Sequence, residues 1–110
     1  MSDLPGLQQR HEERSFTQWD GFVPPELVAL SEKIAHQLIA RLIALGPAPS
    51  REQVQAEVTR CVWQFNGLNR AWEDPWICTI EREDIGEVVW GLAKLCGFGG
   101  DEEWLSERDW

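Results

Sequence analysis

Five ionisable residues occupy seven positions from Glu81 to Glu87, within the stretch "ICTIEREDIGEVVW" that runs from Ile77 to Trp90. Carboxylates at that density could hold a divalent cation or share protons in acid/base chemistry. Either use requires further ligands converging from other elements, as in bundles where Glu and Glu-x-x-His project from facing helices. Few are on offer, since Glu52 and Glu57 are the acids of the preceding apolar-periodic segment and His36 stands alone in the one before it. A plainer account is that the acids open a helix. Glu81 and Asp84 would lie in its first turns, where each interacts with free N–H groups and the positive dipole end by ~0.3–1 kcal/mol.

The thiols come next. Cys61 and Cys96 fall on apolar stripes, where cysteine serves as a small core side chain. Cys78 precedes a helix start, a position that lowers a thiol pKa, but Glu81 and Glu83 oppose the effect. With three cysteines, no C-x-x-C pair and no supporting histidine spacing, neither a disulfide framework nor a zinc site is expected. No phosphate-cradling glycine loop, G-x-S-x-G or H-E-x-x-H occurs. The expectation is a protein without metal or cofactor and without catalytic residues. The alternative is a small enzyme or redox protein using Cys78 or the carboxylates.

Seven tryptophans and no tyrosine stand in 110 residues, and their placement matters more than their number. At 100° per residue with Ile85 as zero, Glu83 lies at about 160°, Trp90 at about 140°, Lys94 at about 180° and Glu87 at about 200°. The apolar stripe Ile85, Val88, Val89, Leu92 and Cys96 faces the other way. Trp63 falls at about 180° from Val54, again opposite its own apolar seam. Large aromatics on polar faces are either covered by the chain's own termini or form an interface, since tryptophan is enriched at binding hot spots. A homodimer that buries the same faces is the third reading.

The elements that must carry these residues are helices. "FVPPELVALSEKIAHQLIARLIALGP" starts at a Pro pair, stops at Gly46-Pro47 and repeats Leu27, Leu30, Ile34, Leu38, Leu42 and Leu45 at intervals of three and four. Ser50 with Gln53 forms a capping box for a second helix, whose seam is Val54, Val58, Cys61, Phe65 and Leu68. The third has Thr79 as its expected N-cap and stops at Gly97, with Phe98 folding back on the last turn. The fold expected is therefore all-α, a small bundle of three main helices at about 25–45, 51–69 and 80–96. Residues 1–23 form an amino-terminal arm able to dock through Phe16, Trp19 and Phe22, and Asp101 to Arg108 add a short terminal helix. Residues 24–110 make one domain.

Charge is unevenly distributed along the chain. From Glu73 to Trp110 eleven acids face three bases, whereas residues 1–72 hold eight acids and seven bases. Such a field repels nucleic acid and anionic lipid and attracts a basic partner. No apolar run approaches the ~20 residues that span a bilayer, and the amino terminus lacks a basic start followed by an apolar segment, so a cytoplasmic protein is expected.

At Phe65, Asn66, Leu68, Asn69, then Ile77, Thr79, Arg82, Glu83, Ile85 and Gly97, the chain resembles small acidic helical bacterial proteins of uncharacterised function. Those carry F-N-x-L-N at a helix end, an acid-rich loop, and I-x-T-x-x-R-E-x-I opening a helix that stops at glycine. Proteins of this general look include immunity proteins that neutralise antibacterial toxins. The resemblance implies a helical fold and a protein partner. Charge and tryptophan placement together point to a non-enzymatic protein-binding role towards a basic protein, a toxin being the most concrete case. Glu83, Glu87 and Trp90 form the expected contact stripe, with Trp63, Glu73, Asp74 and Trp104 as further contact residues.

Overall fold

Three helices lie where the apolar periodicity places them, and a fourth precedes them. In the computed structural model, which describes residues 1–72, 74–99 and 102–110, the elements are α1 (Leu4–Glu12), a 3₁₀ turn (Thr17–Trp19), α2 (Pro25–Ala44), α3 (Arg51–Ala71), α4 (Thr79–Leu95) and a terminal 3₁₀ turn (Glu102–Leu105). No strand occurs among the described residues.

The ends of the helices follow local chemistry. Pro25 sits in the first turn of α2, where its missing N–H is not needed. Gly46 ends that helix at φ 84°, and its N–H donates to the Ile43 carbonyl at 3.0 Å. The capping box of α3 is complete: Gln53 N–H donates to Ser50 Oγ at 3.1 Å, and Ser50 N–H donates to Gln53 Oε1 at 2.8 Å. At the end of α4, Gly97 takes φ 93°, its N–H donates to Lys94 O at 2.9 Å and Phe98 N–H donates to Ala93 O at 3.0 Å. That pair of bonds satisfies two terminal carbonyls in the glycine-terminated manner expected.

Two features differ from expectation. The N-cap of α4 is Cys78, one residue before Thr79, and its backbone N–H donates to Glu81 Oε1 at 2.9 Å. Glu81 in the N3 position reaches back to it, which a threonine cap at 79 would have placed out of register. The amino-terminal segment is also more ordered than a docking arm. Asp3 Oδ1 accepts Gly6 N–H at 2.9 Å and Pro5 occupies the first turn, so α1 forms from a sequence with little apolar period of its own.

α2 and α3 run antiparallel, as the cross-helix pairs require: Arg41 Nε meets Glu57 Oε2 at 2.6 Å, and Gln64 Nε2 donates to Gln37 Oε1 at 2.9 Å. α1 packs on α2 and α4, and the terminal 3₁₀ turn packs on α3 and α4. The radius of gyration of 13.4 Å matches the ~13 Å of a compact chain of this length. Residues 1–23 therefore belong to the same body as the rest. Leu7, Phe16, Trp19 and Val23 are buried in the common core, while Phe22 stays 56% exposed.

Aromatic rings link the segments. Phe16 stacks on Trp19 at 4.2 Å between centroids, and Trp19 meets Trp76 edge-on at 5.7 Å. Phe16 meets Phe65 at 6.2 Å, and Phe65 meets Trp110 at 6.3 Å, both edge-on. Offset and edge-to-face pairs of this kind contribute ~0.5–1.5 kcal/mol each beyond the area they bury.

Polar side chains then tie the loops down. The buried carboxylate of Glu32 accepts Ser15 N–H at 2.7 Å and Phe16 N–H at 2.9 Å. Asn69 Oδ1 accepts both Trp76 and Ile77 N–H at 2.9 Å. Asn66 Nδ2 donates to Glu107 O at 3.0 Å, and its Oδ1 accepts Asp109 N–H at 3.2 Å. The two asparagines of F-N-x-L-N are thus the fasteners of the α3–α4 connection and of the tail. An unsatisfied buried donor costs ~1–3 kcal/mol, so Asn69→Ala, which strands two, is expected to lower stability by about 2–4 kcal/mol. Urea unfolding measures this directly. Glu32→Leu should cost at least as much, and should raise amide exchange selectively around Ser15 and Phe16.

Candidate binding surface

The acids of α4 divide by use. Glu81 is buried as the helix cap, and Asp84 Oδ2 accepts the Trp19 indole N–H at 2.8 Å. Glu83 and Glu87 are exposed, one turn apart, and neither forms a hydrogen bond or ion pair among the described residues. The cluster that looked most like a chemical site therefore consists of a cap, a core fastener and two outward carboxylates.

Trp90 shares their flank of α4 but is half-buried. Its ring lies across Gly86, one turn back, close to Leu105 of the terminal 3₁₀ turn. Thr79, Arg82, Glu83, Trp90, Leu105 and Arg108 surround a crevice of about 170 Å³ there. The terminal segment thus supplies part of the cover that an outward tryptophan requires.

Trp104 is a correction to the expected contact set. It is 1% exposed, its indole N–H donates to Gly99 O at 2.7 Å, and the Arg51 guanidinium lies 4.4 Å from its ring centroid. A side chain so enclosed is core. The sequence places it in a polar tail with no apolar period, and only the fold of that tail onto α3 and α4 buries it. Asp74 is exposed on the α3–α4 connection, apart from the α4 stripe in sequence, and Glu73 lies outside the described residues. Trp63 is 58% exposed on α3, beside the open side of the α2–α3 pair.

Periodicity did not single out the residues that line a further cleft. A cleft of about 600 Å³ runs beside the start of α2, walled by Val23, Pro25, Val28 and Ala29 and closed by Arg14, Asp20 and Glu32. Its volume is in the range of small-molecule sites. Its polar groups are already engaged with one another. Arg14 binds Asp20 through both terminal nitrogens at 2.8 Å and approaches Glu32 at 3.3 Å, and the Arg14 hydrogen bonds hold the Asp20 carboxyl below its ordinary pKa. The charged end fastens the segment before α2, with the Arg14, Asp20 and Glu32 side chains engaged with one another.

Among the described residues, no group of three or more His, Cys, Asp or Glu side chains is placed to hold a metal ion, and no helix is long and apolar enough to cross a membrane. Cys61 and Cys96 are buried and Cys78 is exposed. Burial pushes the Cys61 thiol from 9.0 up to about 12 and also raises Cys96.

Fold and surface define a small all-α protein whose acidic helix presents free carboxylates. The chain belongs to a family of unknown function, DUF5713, whose model matches residues 10–110. No curated protein and no solved structure matches it.

Alkylation of the native protein at neutral pH should label Cys78 alone, with Cys61 and Cys96 reacting only on unfolding; peptide mass mapping checks this. Because the folded-state pKa of Cys61 is raised, its contribution to stability is complete below about pH 9 and is lost as pH climbs towards about 12. The melting temperature should accordingly fall over that alkaline range, and less steeply in Cys61→Ala.

Proposed function

We propose that this is a non-enzymatic binding protein whose acidic α4 face engages a basic protein partner. Its most concrete form is an inhibitor or immunity protein set against a basic toxin. The observation that supports this reading is the pair Glu83 and Glu87, exposed and without an internal partner among the described residues. Like charges at i,i+4 on a helix destabilise it by ~0.2–0.5 kcal/mol. The other acids of the helix, Glu81 and Asp84, each satisfy an internal donor. A cationic partner would turn that repulsion into attraction, and the acidic carboxyl-terminal third would steer its approach.

Trp90 adds a half-exposed aromatic edge beside the carboxylates. Contacts made at such a rim govern association rate and salt dependence more than residence time. The face therefore suits capture of a basic surface.

Coexpression with the product of the neighbouring reading frame, followed by affinity pull-down, tests the reading. Retention of a basic protein, lost in Glu83→Lys/Glu87→Lys while the melting temperature stays within about 2 °C of wild type, is the expected outcome. Glu83→Gln/Glu87→Gln should slow association and flatten its salt dependence. If no protein is retained, or if charge reversal leaves a complex unchanged, the reading is wrong.

A further inference from the structure

Two arginines on the α4 face have no role in holding the fold together. Arg14, Arg41, Arg51 and Arg70 each meet a carboxylate. Arg82 and Arg108 form no ion pair and no side-chain hydrogen bond among the described residues, although the chain holds nineteen acids. Both are half-buried. The Arg82 Nε–H is enclosed by protein without an acceptor, and an enclosed donor left unpaired costs stability. The Arg108 guanidinium lies 5.9 Å from the Trp110 ring centroid, a contact with its charge that pairs none of its N–H groups.

The two cations line one crevice, the space of about 170 Å³ that Thr79, Glu83, Trp90 and Leu105 also border. Arg82 comes from the opening turns of α4 and Arg108 from the terminal segment that Asn66 fastens, so the fold of the tail brings them together. On α4, with Ile85 as zero, Arg82 lies at about 60°, Trp90 at about 140°, Glu83 at about 160° and Glu87 at about 200°. Trp90 therefore stands between a basic flank and an acidic one. The other charges nearby do not cancel this order. Glu81 and Asp84 accept the Cys78 and Trp19 N–H groups, and Asp109 meets Arg70. Glu107 is exposed and does not border the crevice. Lys94 is two turns beyond Glu87, about 10 Å along the axis.

A face of two signs constrains what can sit on it. A partner presenting only cations would satisfy Glu83 and Glu87 but would set like charges against Arg82 and Arg108, and such juxtapositions across an interface are strongly unfavourable. Sealing the crevice would also take two guanidinium groups out of water with nothing to accept their N–H bonds. A carboxylate placed there removes both costs. Guanidinium forks match its geometry, the Thr79 hydroxyl borders the same space as a further donor, and the Trp90 and Leu105 side chains restrict water around it.

We infer that the protein partner of the α4 face carries an aspartate or glutamate side chain that seats between Arg82 and Arg108 while its cations meet Glu83 and Glu87. This rests on the binding role given to α4 above and adds the register of charge that the partner must match. Arg82 and Arg108 are then the residues that select among basic partners. The exposed carboxylates govern encounter, and the half-buried arginines, a residue type enriched at binding hot spots, govern how long the complex lasts.

The test changes charge in a direction on which the two ideas disagree. On a face recognised through negative charge alone, Arg82→Glu/Arg108→Glu makes the protein more acidic and tightens its hold on the basic protein retained in coexpression. The two-sign register gives the opposite result: binding at least about tenfold weaker by surface plasmon resonance, chiefly through faster dissociation. Arg82→Gln/Arg108→Gln should weaken it in the same sense with a melting temperature within about 2 °C of wild type, and this milder pair decides the matter if the glutamate pair fails to fold. Replacing the partner's seated acid by lysine should restore binding to Arg82→Glu/Arg108→Glu. The inference is overturned, and the acidic-face reading left standing, if either double variant that folds binds as tightly as wild type or more tightly while Glu83→Lys/Glu87→Lys still loses the partner. Failure to retain any protein overturns both. The inference also falls if inorganic phosphate raises the melting temperature of wild type but not of Arg82→Gln/Arg108→Gln and the complex forms undiminished in that phosphate, which would assign the crevice to a free anion.

Discussion

The buried carboxylate of Glu32 organises the path of the amino-terminal third. It accepts the N–H groups of Ser15 and Phe16 and receives Arg14 alongside, so the chain leaving α1 is turned inwards against α2. A carboxylate removed from water is costly unless its oxygens are satisfied, and these donors do so. The turn puts Phe16 and Trp19 into the core. Trp19 then stacks on Phe16 and donates its indole N–H to Asp84, which fixes the roll of α4 about its axis. Once that roll is set, Glu83 and Glu87 can only face outwards.

The same logic recurs at the other connections. A chain of 110 residues buries a limited core, and here loops are held by side-chain amides as much as by apolar contact. Asn69 receives two successive backbone donors from the α3–α4 connection, and Asn66 pairs with the tail as a strand would, giving one bond and taking another. The rings of Trp76, Trp19, Phe16, Phe65 and Trp110 run through these joints. Many of the tryptophans are accordingly structural, which leaves Trp63 as the most exposed of them.

The molecule presents two faces that differ in composition. The α4 face carries free carboxylates on the acidic part of the chain, and the α2–α3 groove carries an exposed tryptophan with a lysine and an arginine nearby. An acidic face tunes encounter and salt dependence, whereas an apolar groove with an aromatic anchor supplies residence time.

Helix positions, stops and two of the caps could be read from the residues because they are local: Ser50 with Gln53, Gly46 and Gly97 act within a turn of where they stand. The outward placement of Glu83, Glu87 and Trp63 was legible for the same reason, since one helix's period assigns its faces. Helix α1 was not, because Asp3 and Pro5 signal a start while little apolar period follows. The burial of Trp104 and half of Trp90 depends on where a polar tail folds, which no local pattern encodes. Nor could sequence show that Glu32, Asn66, Asn69 and Asp84 serve distant backbone and indole donors. Those partners are 17, 43, 8 and 65 residues away at most in the hydrogen bonds observed. Local steric and hydrogen-bonding preferences therefore established the helices and their faces, and long-range satisfaction of buried polar groups decided which face each residue finally met.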